Sequence, residues 1–139
     1  MKNLKLAALF VLVLSAVLVS GCAFNVKHMY TPQISVHAPG SGQVDLLKVQ
    51  EAVMDACSAC GWNIDRKTDS VIRATYRFKG VHSATVDIAY NTGSITIQYV
   101  ASEAMKYSDG SGGRKIHRGY NNWVKELESA IRRNLARTL

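Results

Sequence analysis

Proline is almost missing from this chain: Pro32 and Pro39 are the only two in 139 residues, and both lie in the stretch 23–43, which ends in a Gly/Ser cluster and reads as irregular. Acidic side chains are scarce as well, ten against seventeen Lys and Arg, which leaves +7 at neutral pH. No Lys/Arg run interleaved with aromatic residues accompanies that excess, so a nucleic-acid binder is excluded and other anionic partners are favoured. The chain has no internal repeat and no low-complexity tract. It contains no Ser/His/Asp elbow and no paired-histidine zinc signature, and Asp87 and Glu103 are separated enough that they make no carboxylate pair for acid/base work. The longest apolar stretch, Leu6 to Val19, has fourteen residues. As a helix it spans about 21 Å against roughly 30 Å of hydrocarbon, which is too short for a permanent crossing.

What is present at the start is more specific. Lys2 and Lys5 precede the apolar stretch, and Val19-Ser20-Gly21-Cys22 closes it. A basic start, a short apolar middle and a small-residue end are the layout of a cleaved leader. An aliphatic residue, two small residues and a cysteine resemble the lipobox of bacterial lipoproteins. That resemblance implies a diacylglycerol on the Cys22 thiol, cleavage before Cys22 with Val19, Ser20 and Gly21 as the peptidase's recognition residues, and an acylated new amine. Two or three acyl chains make such binding effectively permanent. Ala23, where retained inner-membrane lipoproteins usually carry aspartate, implies the periplasmic leaflet of the outer membrane. Without residues 1–21 the chain has fifteen basic and ten acidic side chains, a balance of +5, suited to lipid phosphates, lipopolysaccharide or other anionic envelope polymers.

The remainder divides into a lipidated N-terminus and tether, 22–43, and one small domain, 44–139. Fully extended, the tether reaches roughly 70 Å, and within it "QISVHA" alternates well enough to dock as an edge strand between the prolines. From Asp45 to Gly61 the period becomes helical, with Leu46, Val49, Val53, Cys57 and Cys60 on one face, Asp45 as N-cap and Gly61 as left-handed stop. Trp62 and Ile64 begin a short strand. Ile72 to Phe78, Ala84 to Tyr90 and Ile95 to Tyr99 then alternate as a meander with one apolar and one polar face. "YSDGSGG" reads as a loop before a last helix carrying Ile116, Tyr120, Trp123, Val124, Leu127, Ile131 and Leu135. Lys125 and Glu128 are on its outside, and Arg132, Arg133 and Arg137 near its negative end. The expected fold is α+β: a two-layer sandwich in αβββα order, with an antiparallel sheet of three to four strands and two helices on one face.

In Gly61-Trp62, "ATVDIAY", "SITIQYVASEAMKY", Ile116-His117, Tyr120-Asn121 and Trp123-Val124 the chain resembles a set of small proteobacterial lipoproteins of uncharacterised function. It departs from them at Ala104-Met105, where an Asn-Leu pair is common, and at Cys60, where a basic residue often precedes Gly-Trp. The resemblance implies fold and location and carries no activity.

Several groups invite chemical readings. "CSAC", 57–60, falls at a helix end, where the dipole opposes a thiolate, and both sulfurs occupy the apolar stripe. Buried small hydrophobes is the leading reading, with a Cys57–Cys60 disulfide and a redox or metal role as alternatives. A zinc site would need two more ligands, and His28, His37, His82 and His117 are scattered. "DGSGGRK" is an ordinary turn or, with Arg114 and Lys115, a phosphate cradle at a helix start. His117, Tyr120 and Trp123 are core and structural residues or an acid/base pair with a stacking ring. The polar sheet face presents Arg73, Arg77, Thr75, Thr85, Asp87, Thr96 and Gln98, either simply solvated or as a binding surface. The expectation is a non-enzymatic, lipid-anchored module that acts by contact with an envelope protein or an anionic envelope polymer. It needs no metal, and no cofactor beyond the covalent diacylglycerol and N-acyl chain at Cys22.

Overall fold

The computed structural model describes residues 25–139. The expected leader, with Val19, Ser20, Gly21 and Cys22, lies outside the described residues. The elements run β1 (Val26–His28), β2 (Gln33–Ser35), α1 (Leu46–Ala59), β3 (Asn63–Lys67), β4 (Val71–Phe78), β5 (His82–Tyr90), β6 (Ser94–Glu103), β7 (Ser108–Gly110), β8 (Gly113–His117) and α2 (Arg118–Thr138). The expected single sheet of three to four strands is incorrect. The described residues build two antiparallel sheets, five strands in the order β2-β6-β5-β4-β3 and three in the order β1-β8-β7. The class, α+β with two helices, is as expected, but the architecture is not a simple sandwich of one sheet and two helices. β2 falls in the "QISVHA" stretch expected as an edge strand, whereas the missed strands are β8, with five residues, and β1 and β7, with three residues each. A stretch that short shows no period of its own and is defined by the partner it pairs with.

Helix α1 is bounded by local chemistry. The Asp45 carboxylate accepts the Leu47 amide at 2.9 Å. At the other end Gly61 takes φ +77°, while the Gly61 and Trp62 amides donate to the carbonyls of Ser58 and Cys57. This is the paired Schellman closure, which needs a left-handed residue at that position. Val49, Val53, Ala56 and Cys57 of α1 and Tyr120, Val124, Leu127 and Ile131 of α2 share one buried core with Ile72, Ala74, Val86, Ile88, Ile95 and Ile97 of the sheet. Each fully buried aliphatic side chain contributes about 1.5–3 kcal/mol. The buried core runs from Ile34 to Leu135, so residues 25–139 carry their own core. One polar side chain enters it: Asn134 donates to the Ala52 carbonyl at 3.0 Å and ties α2 to α1.

Residues 26–36, read from sequence as tether with one docking strand, are integrated into both sheets. β1 pairs with β8 and β2 with β6. Between them α2 grips the connector. Asn121 accepts the Tyr30 amide at 2.9 Å and donates to the His28 carbonyl at 2.8 Å, and the Tyr30 hydroxyl donates to Glu128 at 2.7 Å. Lys125 sits 5.4 Å from the Tyr30 ring centroid.

Candidate functional site

The helices cover one face of the five-stranded sheet and leave the other open. Cross-strand pairing collects the residues of the expected polar surface there. Arg73 is opposite Asp87, and Asp87 opposite Gln98; Thr75 is opposite Thr85, and Arg77 opposite Ser83. Most of these groups are already engaged. Arg73 donates from Nε and an Nη to both Asp87 oxygens at 2.8 and 2.7 Å, a two-pronged pair with planar complementarity. The hydrogen bond and charge of Arg73 hold the Asp87 carboxyl below the usual carboxylate range, and Asp87 in turn raises Arg73. Thr75, only 8% exposed, donates to Asp65 at 2.6 Å and lies 2.8 Å from the Thr85 hydroxyl. Ser83 donates to Glu103 at 3.2 Å.

Arg77 and Glu103, only loosely paired at 3.9 Å, and Gln98 are open groups on this face. Arg66 of β3, which alternation alone would turn toward the helices, joins them. A register shift between Ile64 and Arg66 brings it opposite Arg73 on the open side, as a bulge does. Sequence reasoning missed Arg66 and Asp65 because only the pairing reveals that shift. The charged side chains here are Arg66, Arg73 and Arg77 against Asp65, Asp87 and Glu103, so the face is polar and neutral.

The cysteines follow their apolar environment. Both are free thiols. Burial, with a smaller contribution from Cys60, pushes the Cys57 thiol up to about 12. Cys60 is raised by burial and then by Glu126, with Arg133 opposing, and its sulfur lies 3.8 Å from the Glu126 carbonyl. A thiol held protonated is a poor nucleophile and a poor metal ligand. Among the described residues no group of three or more His, Cys, Asp or Glu is placed to hold a metal.

His117, Tyr120 and Trp123 have structural duties. His117 is the N-cap of α2: its Nδ1 accepts the Gly119 amide at 3.1 Å. Its imidazole is held below the ordinary value by burial, then by the charges of Lys106, Arg118 and His82. Tyr120 is fully buried, its hydroxyl has no hydrogen-bond partner, and burial raises its pKa strongly. Trp123 continues an aromatic row, 4.7 Å from Tyr76 and 6.2 Å from Phe78 between ring centroids. "DGSGGRK" is no loop before a helix. It forms the β7–β8 hairpin, with Asp109 opposite Arg114 and Gly110 opposite Gly113. Helix α2 starts only at Arg118, so the glycines do not lie at a helix N-terminus.

The concavities are modest. One of about 420 Å³ lies between β2 and the end of α2, and its Arg132 is held by Glu128 at 2.7 Å. Another, about 200 Å³, lies between Phe78, His82, Met105, His117 and Trp123. A third, about 130 Å³, opens on the polar sheet face beside Arg77 and Glu103. Among the described residues no helix is long and apolar enough to cross a membrane. No protein-family model matches the chain, and searches of curated proteins and of solved structures found no match.

Proposed function

We propose that this chain is a lipid-anchored, non-enzymatic module of the bacterial periplasm. Cys22 holds it in the periplasmic leaflet of the outer membrane, and it acts by contact with an envelope protein through the open face of the five-stranded sheet. The observation that carries this reading is the state of that face: among the described residues it is uncovered by helices, and it is polar with its charges balanced across strands β3 to β6. A neutral surface of fixed hydrogen-bonding groups fits another protein surface, whereas a polyanion calls for uncompensated cations. The leader and lipobox pattern at Val19 to Cys22 supports the location. The raised Cys57 and Cys60 thiols weigh against thiol-redox or metal handling.

The test places a photo-reactive residue at Gln98 in living cells, with a control at Lys48 on the exposed side of α1. Capture of an envelope protein from position 98 and not from 48, lost on Arg77→Glu, is the expected result. The same species captured from both positions, or capture unaffected by Arg77→Glu, rejects the sheet face as the working surface.

A further inference from the structure

We propose that one end of the domain, formed by β1, the β4–β5 turn, the β7–β8 hairpin and the first residue of α2, docks on the phosphate plane of an anionic bilayer. Only the closeness of that end to the membrane rests on lipidation at Cys22. The surface itself is argued from the fold.

These elements are contiguous in the fold. The β4–β5 turn precedes His82, whose Nδ1 lies 3.1 Å from the Ala104 carbonyl. The Met105 carbonyl accepts the His117 amide at 2.7 Å, and β8 pairs on its far side with β1. Within residues 25–28, 78–82 and 104–118 stand Lys27, Lys79, Lys106, Arg114, Lys115 and Arg118, all exposed, with Asp109 as the single acid. The other described residues contain nine basic and nine acidic side chains. The entire excess of +5 therefore sits on these contiguous segments, and the rest of the domain is neutral.

Charge is joined there by apolar surface. Phe78 is 41% exposed, Val81 62% and Tyr107 39%. Lys79 and Gly80 take φ +52° and +68°, and the Val81 amide donates to the Phe78 carbonyl at 3.3 Å. This is a tight two-residue turn that presents an aromatic and an aliphatic side chain beside a lysine. Aromatic and aliphatic groups settle at the headgroup boundary while Lys and Arg reach the phosphates.

Chain length adds the placement. Cys22 precedes Val26 by four residues, and the chain is gripped from β1 onward. A lipid on Cys22 therefore holds Val26 within about 14 Å of the membrane surface, not the 70 Å of a free tether. Gln98, five residues before the end of β6, would then stand roughly 16 Å above this end along the strand, so the open sheet face would rise from the membrane.

Flotation of the lipid-free chain from Ala23 onward with vesicles tests this without any anchor. One set contains phosphatidylcholine alone and the other phosphatidylcholine with phosphatidylglycerol. Binding to the anionic set, weakening as salt rises, is expected. Arg114→Glu with Lys115→Glu should weaken it at least twenty-five-fold, at roughly five-fold per cation lost. Phe78→Ser with Val81→Ser should weaken it without changing the salt dependence. Lys48→Glu with Arg133→Glu, which removes the same charge elsewhere, should leave most of the binding. No binding to anionic vesicles, or an equal loss from the control pair, overturns the proposal. The mass of the native N-terminal peptide reports separately on Cys22, so failure of this surface and failure of the anchor are distinguishable.

Discussion

At the scale of single residues, what could be read in advance was what depends only on near neighbours. Asp45 and Gly61 were legible because a carboxylate before a helix and a glycine after it act within four residues. His117 was not. Ile116 lies four positions before Tyr120 and extends the apolar period, which predicts too early a start for the helix, whereas Ile116 is a strand residue and His117 is the cap. That assignment has a consequence for pH. The folded imidazole takes up its proton at lower pH than the unfolded one, so below the ordinary histidine value the unfolded chain binds more protons. Stability is complete above about pH 6.5 and falls as pH drops through the folded value. Protonation of Nδ1 also removes the acceptor of the Gly119 amide. His117→Asn keeps a capping oxygen and should flatten stability between pH 7 and 5 in urea titrations; an unchanged slope would place the effect elsewhere. The Asp87 carboxyl titrates below the usual carboxylate range, outside that window. Cys57 and Cys60 carry a further expectation. In native protein Cys57 should resist a thiol reagent that labels it rapidly after denaturation, and rapid native labelling would revive a thiol function.

At the scale of elements, β4, β5, β6 and both helices were legible because each is long enough for its period to repeat, two residues in the strands and three to four in the helices. β2 was legible as the alternating "QISVHA" between its prolines, and β8 was hidden because Ile116 continues the apolar period of the helix that follows. β1 and β7 were not legible, since three residues such as Val26–His28 offer no repeat and exist as strands only where β8 supplies hydrogen bonds. The same reasoning explains why the stretch 22–43 looked like a tether. Its proline and glycine content is real, but Asn121 and Glu128, each more than ninety residues from Tyr30 in sequence, decide its fate. Asn121→Ala removes partners from the Tyr30 amide and the His28 carbonyl together and should cost about 1–3 kcal/mol. Denaturant midpoints give the magnitude. Hydrogen exchange should locate the loss in residues 26–30, and unaltered exchange there would show that the connector is held by other contacts.

At the scale of the whole molecule, the distribution of charge matters more than its sum. Residues 25–139 carry +5, but where that charge lies depends on how β1 and the β7–β8 hairpin meet the β4–β5 turn, which no local pattern encodes. The fold separates a neutral, uncovered sheet face from a basic, partly apolar end. Of the sequence-expected surface, Arg73, Arg77, Thr75, Asp87 and Gln98 do share one face, because alternation with a period of two survives in long strands. Their commitment to one another, through the Arg73–Asp87 pair and the Thr75–Thr85 contact, became visible only with the register. The two surfaces matter together only if the chain is tethered by its first mature residue. Mass spectrometry of the N-terminal peptide from protein made in its native host measures that directly. The expected product begins at Cys22 and carries a diacylglycerol on its sulfur; an unmodified Cys22 thiol, or a leader still attached, would contradict it.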